Sequence, residues 1–331
     1  MRHIEELLPL LTSPQKIFIT THYKPDGDAI GSSLGLYHYL IQNGHEVTVV
    51  SPSEIPDFLQ WMPGIEHVLN FESEPKMAEK ALTDCDYIFC LDFNNLSRIK
   101  NLESLLRSAN QPKILIDHHL EPEESVFQYG ISLPEKSSTC EMVYDFILLD
   151  NGSQKINTEI MQCLYSGTMT DTGSFRFPST TASVHLMIAD FKSRGFDHSV
   201  IHDRIFDNWS AQRMRFLGFV LSERMEIYPL QKTGLITISQ EDIHKYSDNV
   251  GATEGMVNYP LGIAGIEKSI LLIERKDEVK LSFRSKGDID VASFSRTYFN
   301  GGGHKNAAGG QSKESLIDTK NRIINLLNLK N

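Results

Sequence analysis

Two kinds of hydrophobic pattern alternate through the first half of the chain. Residues 16–21 (KIFITT), 46–50, 87–92 (YIFCLD) and 113–117 (KILID) are short, β-rich runs, several of them nearly continuously apolar. Such runs suit strands of a parallel sheet that is buried on both faces. Residues 28–43 instead space Ile30, Leu34, Tyr37, Leu40 and Ile41 at helical intervals and stop at Gly44. Further helices are predicted at 138–149 and 158–169. The β-α-β alternation predicts a doubly wound α/β domain with a parallel sheet over residues 1–190. Residues 191–228 read as a more polar helical linker. From Gly234 the texture changes, with strands predicted at 235–238, 269–274 and 279–284. A glycine-rich loop follows (Gly301, Gly302, Gly303, Gly309, Gly310), then an amphipathic helix carrying Leu316, Ile317, Ile323, Ile324, Leu326 and Leu327. Residues 229–331 are thus expected to form a smaller α+β domain.

Composition narrows the function classes. The 331 residues are 40% hydrophobic and 23% charged, too apolar for a disordered chain. Lys and Arg number 32 against 43 Asp and Glu, a net charge of -11. That balance argues against a protein that coats long duplex DNA, whose phosphates demand many cations. It leaves short nucleotides open. The cysteines, Cys85, Cys90, Cys140 and Cys163, form no C-x-x-C pair and read as buried free thiols rather than disulfides or zinc ligands. The start, MRHIEELLPLL, has Glu5 and Glu6 where an export signal is basic and then apolar, and no apolar run approaches a membrane span. A cytoplasmic protein without a membrane partner is expected.

Ligands of open α/β sheets bind at the carboxyl ends of the strands, and the acidic and imidazole residues cluster there. His22, Asp26 and Asp28 follow the first strand within seven residues, with Gly31 placed to let the helix start approach another backbone. Asp28, at a helix start, also reads as a cap. Asp92 ends another strand, and Arg98 six positions on reads as a structural anchor or a substrate contact. Asp117, His118 and His119 end a third strand, where a carboxylate can orient a neighbouring imidazole. Asp171 follows a helix, among small and hydroxyl residues. Together His22, Asp26, Asp28, Asp92, His118 and Asp171 exceed the needs of one metal and suit two ions sharing a bridging Asp. Carboxylate and imidazole without thiolate favour Mn²⁺, with Mg²⁺ as the alternative. In the second domain Arg284, Ser285, Lys286, His304 and Lys305 stand beside the glycine run, a combination suited to clamping a phosphate.

The sequence H-x-x-x-D-G-D-A-x-G-S, the isolated Asp92, the literal Asp-His-His and G-x-x-x-D-T-G-x-F jointly resemble the DHH phosphoesterase superfamily. GGGHKNAAGG is similar to its DHH-associated substrate-binding domain. With two domains and no further module, the chain is most similar to the bacterial nanoRNase branch, bifunctional oligoribonucleases and pAp phosphatases. The resemblance implies that His22, Asp26 and Asp92 hold one Mn²⁺, and that Asp28, Asp92, His118 and Asp171 hold a second. It implies that Asp117 supports these ligands and that His119 lies near the phosphate. Arg284, Ser285, Gly301, Gly302, Gly303 and His304 would hold the base or terminal phosphate. The implied activity is hydrolysis of short RNA (nanoRNA, pApA) and of pAp by a hydroxide activated between the two ions, in a protein that pairs as a homodimer by fold-level analogy. Two positions depart from the family pattern: Asn300 replaces the first glycine of a quartet, and Phe93-Asn94-Asn95 follows Asp92. Rival readings are a family II pyrophosphatase, a RecJ-type single-strand exonuclease, a cyclic dinucleotide phosphodiesterase and a nucleotide-binding regulatory protein without activity.

Overall fold

In a computed structural model, which describes residues 1–246 and 252–328, the chain divides into two units, Met1–Asn208 and a second from Trp209 onward. The first is built on seven strands: β1 (Arg2–His3), β2 (Lys16–Thr20), β3 (Glu46–Ser51), β4 (Leu69–Asn70), β5 (Tyr87–Leu91), β6 (Lys113–Asp117) and β7 (Tyr129–Ser132). They lie in the order β1-β7-β6-β5-β2-β3-β4, and every neighbouring pair is parallel. The chain winds outward one way through β2, β3 and β4, then restarts at β5 and winds the other way. The reversal falls between β2 and β5, where such sheets form a ligand crevice.

The continuous apolar runs are explained by helices on both faces. Ile17, Ile19, Phe89, Leu91, Ile114 and Ile116 point into one core, while Phe18, Ile88, Cys90 and Leu115 point into the other. Each such side chain contributes about 1.5–3 kcal/mol on burial. The first core is shared with α1 (Gly27–Gln42), α4 (Thr139–Leu149), α5 (Thr158–Asp171), α6 (Ala182–Ser193) and α7 (Ser199–Phe206); the second includes residues of α2 (Pro75–Asp84) and α3 (Glu103–Ser108). Helix α1 is capped by Asn43, and Gly44 then turns the chain with a φ of 84°. Strands β1 and β4 have two residues each, too few to show a period in sequence.

The second unit carries a mixed sheet, β12-β13-β11-β10-β9-β8, in which only β9 and β10 pair in parallel. Its strands are β8 (Met225–Tyr228), β9 (Thr233–Ile238), β10 (Lys268–Glu274), β11 (Val279–Ser285), β12 (Gly302–His304) and β13 (Ala307–Ser312). One face packs on α10 (Val291–Phe299) and α11 (Leu316–Asn328), the other on α8 (Ala211–Phe219). A short helix α9 (Gln240–Tyr246) follows β9. The segment expected as a helical linker holds α7 in the first unit, then α8, a π-helical turn at Val220–Arg224 and β8 in the second. The glycine cluster expected as a loop is the hairpin of β12 and β13, and the absence of side chains there permits close pairing: a Cβ on Gly303 would stand 2.5 Å from the carbonyl of Ala307. The four cysteines are buried and free. Among the described residues no helix is long and apolar enough to cross a membrane.

Candidate metal centre

The loop after β2 begins the site. His22 Nδ1 stands 3.1 Å from the carbonyl of Tyr23, which can only accept, so this nitrogen is the donor and Nε2 is the one that would give up its proton to a metal. Asp26 caps α1, accepting from the amides of Asp28 and Ala29 at 3.0 and 3.1 Å. The cap expected of Asp28 is therefore supplied by its neighbour. Asp28 instead turns its carboxylate to another helix, accepting from the amides of Thr139 at 2.6 Å and Cys140 at 2.8 Å at the start of α4. Those donors and the positive end of α4 suit a buried carboxylate.

Asp92 sits just past β5 in left-handed backbone, φ 63°, which Asp tolerates better than most residues. Its Oδ2 lies 3.5 Å from His22 Nε2, and its Oδ1 lies 3.4 Å from His118 Nε2. His118 Nε2 is also 3.7 Å from Asp28 and 3.5 Å from Asp171, the last residue of α5. His22 Nε2 is 3.8 Å from Asp26. His119 Nδ1 donates to Asp117 at 2.7 Å, and Asp117 is wholly buried. The eight residues anticipated at this sheet edge thus converge on it, with Asp92 common to the sets His22–Asp26–Asp92 and Asp28–Asp92–His118. Arg98 joins through its carbonyl, which accepts from the amide of Tyr23 at 2.8 Å.

Convergence requires close helix packing. A Cβ on Gly31 of α1 would stand 2.6 Å from the carbonyl of Cys163 in α5, so only glycine allows the approach that brings Asp28 toward Asp171. The departure at Phe93 is a packing choice, since its ring is fully buried in the second core. Thr139 escaped the sequence reading. Its hydroxyl donates to Asp92 Oδ1 at 3.0 Å, and its only advance signal was its place at a helix start.

The electrostatics favour added positive charge. Burial alone would lower the pKa of His22, but Asp26 and Asp92 outweigh it and raise it from 6.5 to about 10. His118 is raised in the same way, with Asp92, Asp171 and Asp28 overcoming burial. Burial and then the charge of Asp92 and Asp171 push Asp28 well above the usual carboxylate range. Burial pushes Asp171 up to about 7, against the pull of His118. Asp28 and Asp171 hold on to protons for want of counter-charge, whereas for Asp26 and Asp92 burial is outweighed by the neighbouring imidazoles, which keep the carboxyls below the usual range; two divalent cations would balance the charge of all four. The spacing fits as well. Atoms 3.4–3.8 Å apart are too far for good hydrogen bonds. They are close to the roughly 3.0–3.6 Å between adjacent ligands on one ion with bonds near 2.1 Å. Hard oxygens with imidazole suit Mn²⁺ or Mg²⁺.

In the second unit Ser285 is bound internally, its hydroxyl donating to the carbonyl of Ile289 at 2.6 Å and accepting from Asn306 at 2.9 Å. Arg284 Nη1 donates to the carbonyl of Phe283 at 2.9 Å. Gly301 packs against β13, Gly302 is open to its surroundings, and His304 is exposed. Asn300, the second departure, ends α10 with a φ of 47°, a position where Asn replaces Gly at little cost.

The profile of the DHH family, N-terminal domain, matches residues 16–168, and that of the DHHA1 domain matches residues 237–329. The bifunctional oligoribonuclease and PAP phosphatase NrnA of Thermus thermophilus is 32% identical over 324 residues, covering 96% of this chain and 90% of that protein. The protein of the same name from Bacillus subtilis is 27% identical, covering 92% and 91%. The crystal structure of an exopolyphosphatase-related protein from Bacteroides fragilis superposes with a TM-score of 0.94 at 37% identity, covering 98% of this chain and 95% of that one.

Proposed function

This chain belongs to the DHH family, and we propose from that premise that it is a metal-dependent phosphoesterase that hydrolyses short oligoribonucleotides, pApA included, and pAp. The observation that carries the reading is Asp92, whose two oxygens face two different imidazoles at 3.4 and 3.5 Å, each imidazole backed by further carboxylates. His22, Asp26 and Asp92 would hold one ion, and Asp28, Asp92, His118 and Asp171 the other, with Mn²⁺ the expected metal. When bound, such a pair lowers the pKa of water and offsets charge on the phosphoryl oxygens.

The chain's own residues do the rest. His22 and His118 are oriented by carbonyls behind them, Tyr23 at 3.1 Å and Lys136 at 3.3 Å, so each ring offers Nε2 to the site. Asp117 holds the His119 ring through Nδ1, and Nε2 would pass a proton to the departing oxygen. Arg284 and His304, with Gly301 to Gly303, would bind the base or terminal phosphate of the substrate, and the internal bonds of Ser285 would stiffen that surface. Few cations are needed for so short a ligand, in keeping with the acidic chain. By family analogy the protein would work in the cytoplasm as a homodimer.

The test is hydrolysis of pAp, pApA, five-residue RNA, long single-stranded DNA, cyclic di-AMP and pyrophosphate with Mn²⁺, Mg²⁺ or a chelator. Mn²⁺-dependent cleavage of the short RNAs and pAp, with little on the others, is expected. Preference for long DNA, cyclic di-AMP or pyrophosphate would overturn the substrate assignment, and undiminished activity in chelator would overturn the metal.

A further inference from the structure

We propose that Thr139 is a positioning residue that fixes two carboxylates of the metal centre at once, an inference that rests on the metal-dependent reading above. It is fully buried. Its amide donates to Asp28 Oδ2 at 2.6 Å while its hydroxyl donates to Asp92 Oδ1 at 3.0 Å. One residue thus reaches the ends of two elements, α1 and β5, from the start of a third.

Helix formation alone does not call for Thr at this place. The cap of α4 is Ser138, whose hydroxyl accepts from the amide of Glu141 at 3.1 Å. Thr139 is the next residue, already helical, and a β-branched side chain is a mediocre helix former. Asp92, by contrast, needs support. Its left-handed backbone is strained for any side chain, and the amide of Asp92 has one anchor, the carbonyl of Ile116 at 3.1 Å. A hydroxyl donating to Oδ1 sets the rotation of the carboxylate, so that Oδ1 stays toward His118 and Oδ2 toward His22. Ser138 extends the link, since its hydroxyl meets that of Thr168 at 3.1 Å on α5, the helix that ends at Asp171. Residues 138 and 139 therefore brace three of the four carboxylates: Asp28 and Asp92 directly, Asp171 through its helix.

The experiment compares Thr139→Val, which removes the hydroxyl and keeps the shape, with Thr139→Ser, which keeps the hydroxyl. Mn²⁺ affinity of the full chain is read by calorimetry. Val should weaken binding about 10–100-fold, the usual effect of losing a hydrogen-bond partner behind a metal ligand, and Ser should stay within about 3-fold of wild type. At limiting Mn²⁺ the Val variant should lose kcat on pApA with unchanged KM, and excess Mn²⁺ should restore it, which a general packing defect would not allow. If Val unfolds, Thr139→Ala against Thr139→Ser isolates the same hydroxyl. Val binding Mn²⁺ like wild type, or Ser as weakly as Val, would overturn the proposal. Wild-type protein that binds no divalent cation would overturn the centre with it. Wild-type protein that binds Mn²⁺ but cleaves no phosphoester would overturn the function alone and leave the affinity comparison decisive here.

Discussion

Adding one methyl group at Gly31 tests whether helix contact sets the metal geometry. In Gly31→Ala the new Cβ would stand 2.6 Å from the carbonyl of Cys163, 2.9 Å from Cys140 Sγ and 3.2 Å from the amide of Gly167. The first of these is about 0.8 Å inside ordinary van der Waals contact, and a helix carbonyl cannot swing aside as a side chain can. Helices α1 and α5 must separate by a comparable amount. Overpacking of this kind costs about 1–3 kcal/mol, against about 0.5–1 kcal/mol gained by removing a helical glycine. A net loss of about 1–2 kcal/mol lowers Tm by about 2–8 °C for a unit of this size. The larger consequence is at the centre. Asp28, on α1, and Asp171, on α5, both flank His118, at 3.7 and 3.5 Å. A shift of even half the helix displacement exceeds the roughly 0.2 Å tolerance of metal–ligand bonds. Mn²⁺ affinity should therefore fall at least about 10-fold. Thermal unfolding in chelator and Mn²⁺ calorimetry measure the two effects. Gly218→Ala is the control: it lies inside α8 with nothing within 4 Å of the added Cβ, and should stabilise slightly. A Gly31→Ala protein with wild-type Tm and wild-type Mn²⁺ affinity would refute the argument.

Asp92→Asn keeps the left-handed backbone accessible but removes the shared charge, so Mn²⁺ affinity and kcat should each drop by about 100-fold or more while circular dichroism stays native; a variant that keeps most of its activity would sink the shared-ligand role. Arg284→Ala should raise KM for dinucleotides about 10-fold, the worth of one charge-assisted hydrogen bond, and leave Mn²⁺ binding alone; an unchanged KM removes Arg284 from the substrate surface. Burial works against ionisation of Glu141, but Ser183, Ser137 and Lys136 outweigh it and hold its carboxyl below the ordinary 4.5. A depressed acid stabilises the fold above its unfolded pKa and loses that contribution as pH falls through the lower folded value. Urea unfolding should accordingly show stability falling below about pH 4.5, with a shallower slope in Glu141→Gln; equal slopes would count against the network.

Much of this was written locally. The strands KIFIT, YIFCL and KILID are apolar at every other position twice over, because alternate residues enter different cores, and that double burial is what a continuous apolar run encodes. Most of the residues proposed as ligands follow those strands, because sheet topology delivers strand ends to one edge, whatever loops intervene, and Asp171 arrives from the end of α5. Motif spacing therefore singled out residues that the fold brings together at one edge. The short edge strands β1 and β4 lack the length to carry a period, and the β12–β13 hairpin is masked by glycines, which satisfy a loop and a tight pairing equally.

What only tertiary structure decided is which groups each polar residue answers to. The sequence placed Asp26 and Asp28 together at a helix start, but not that Asp26 caps its own helix while Asp28 binds amides 111 and 112 residues away. Nor did it separate Thr139 from the other hydroxyl residues at helix starts, although its partner Asp92 lies 47 residues back along the chain. Periodicity and capping are short-range and survive in the order of residues. Long-range polar contacts depend on how closely α1, α4 and α5 pack, and that closeness needs the absence of side chains at Gly31 and Gly167, which constrains nothing until the partner backbone arrives.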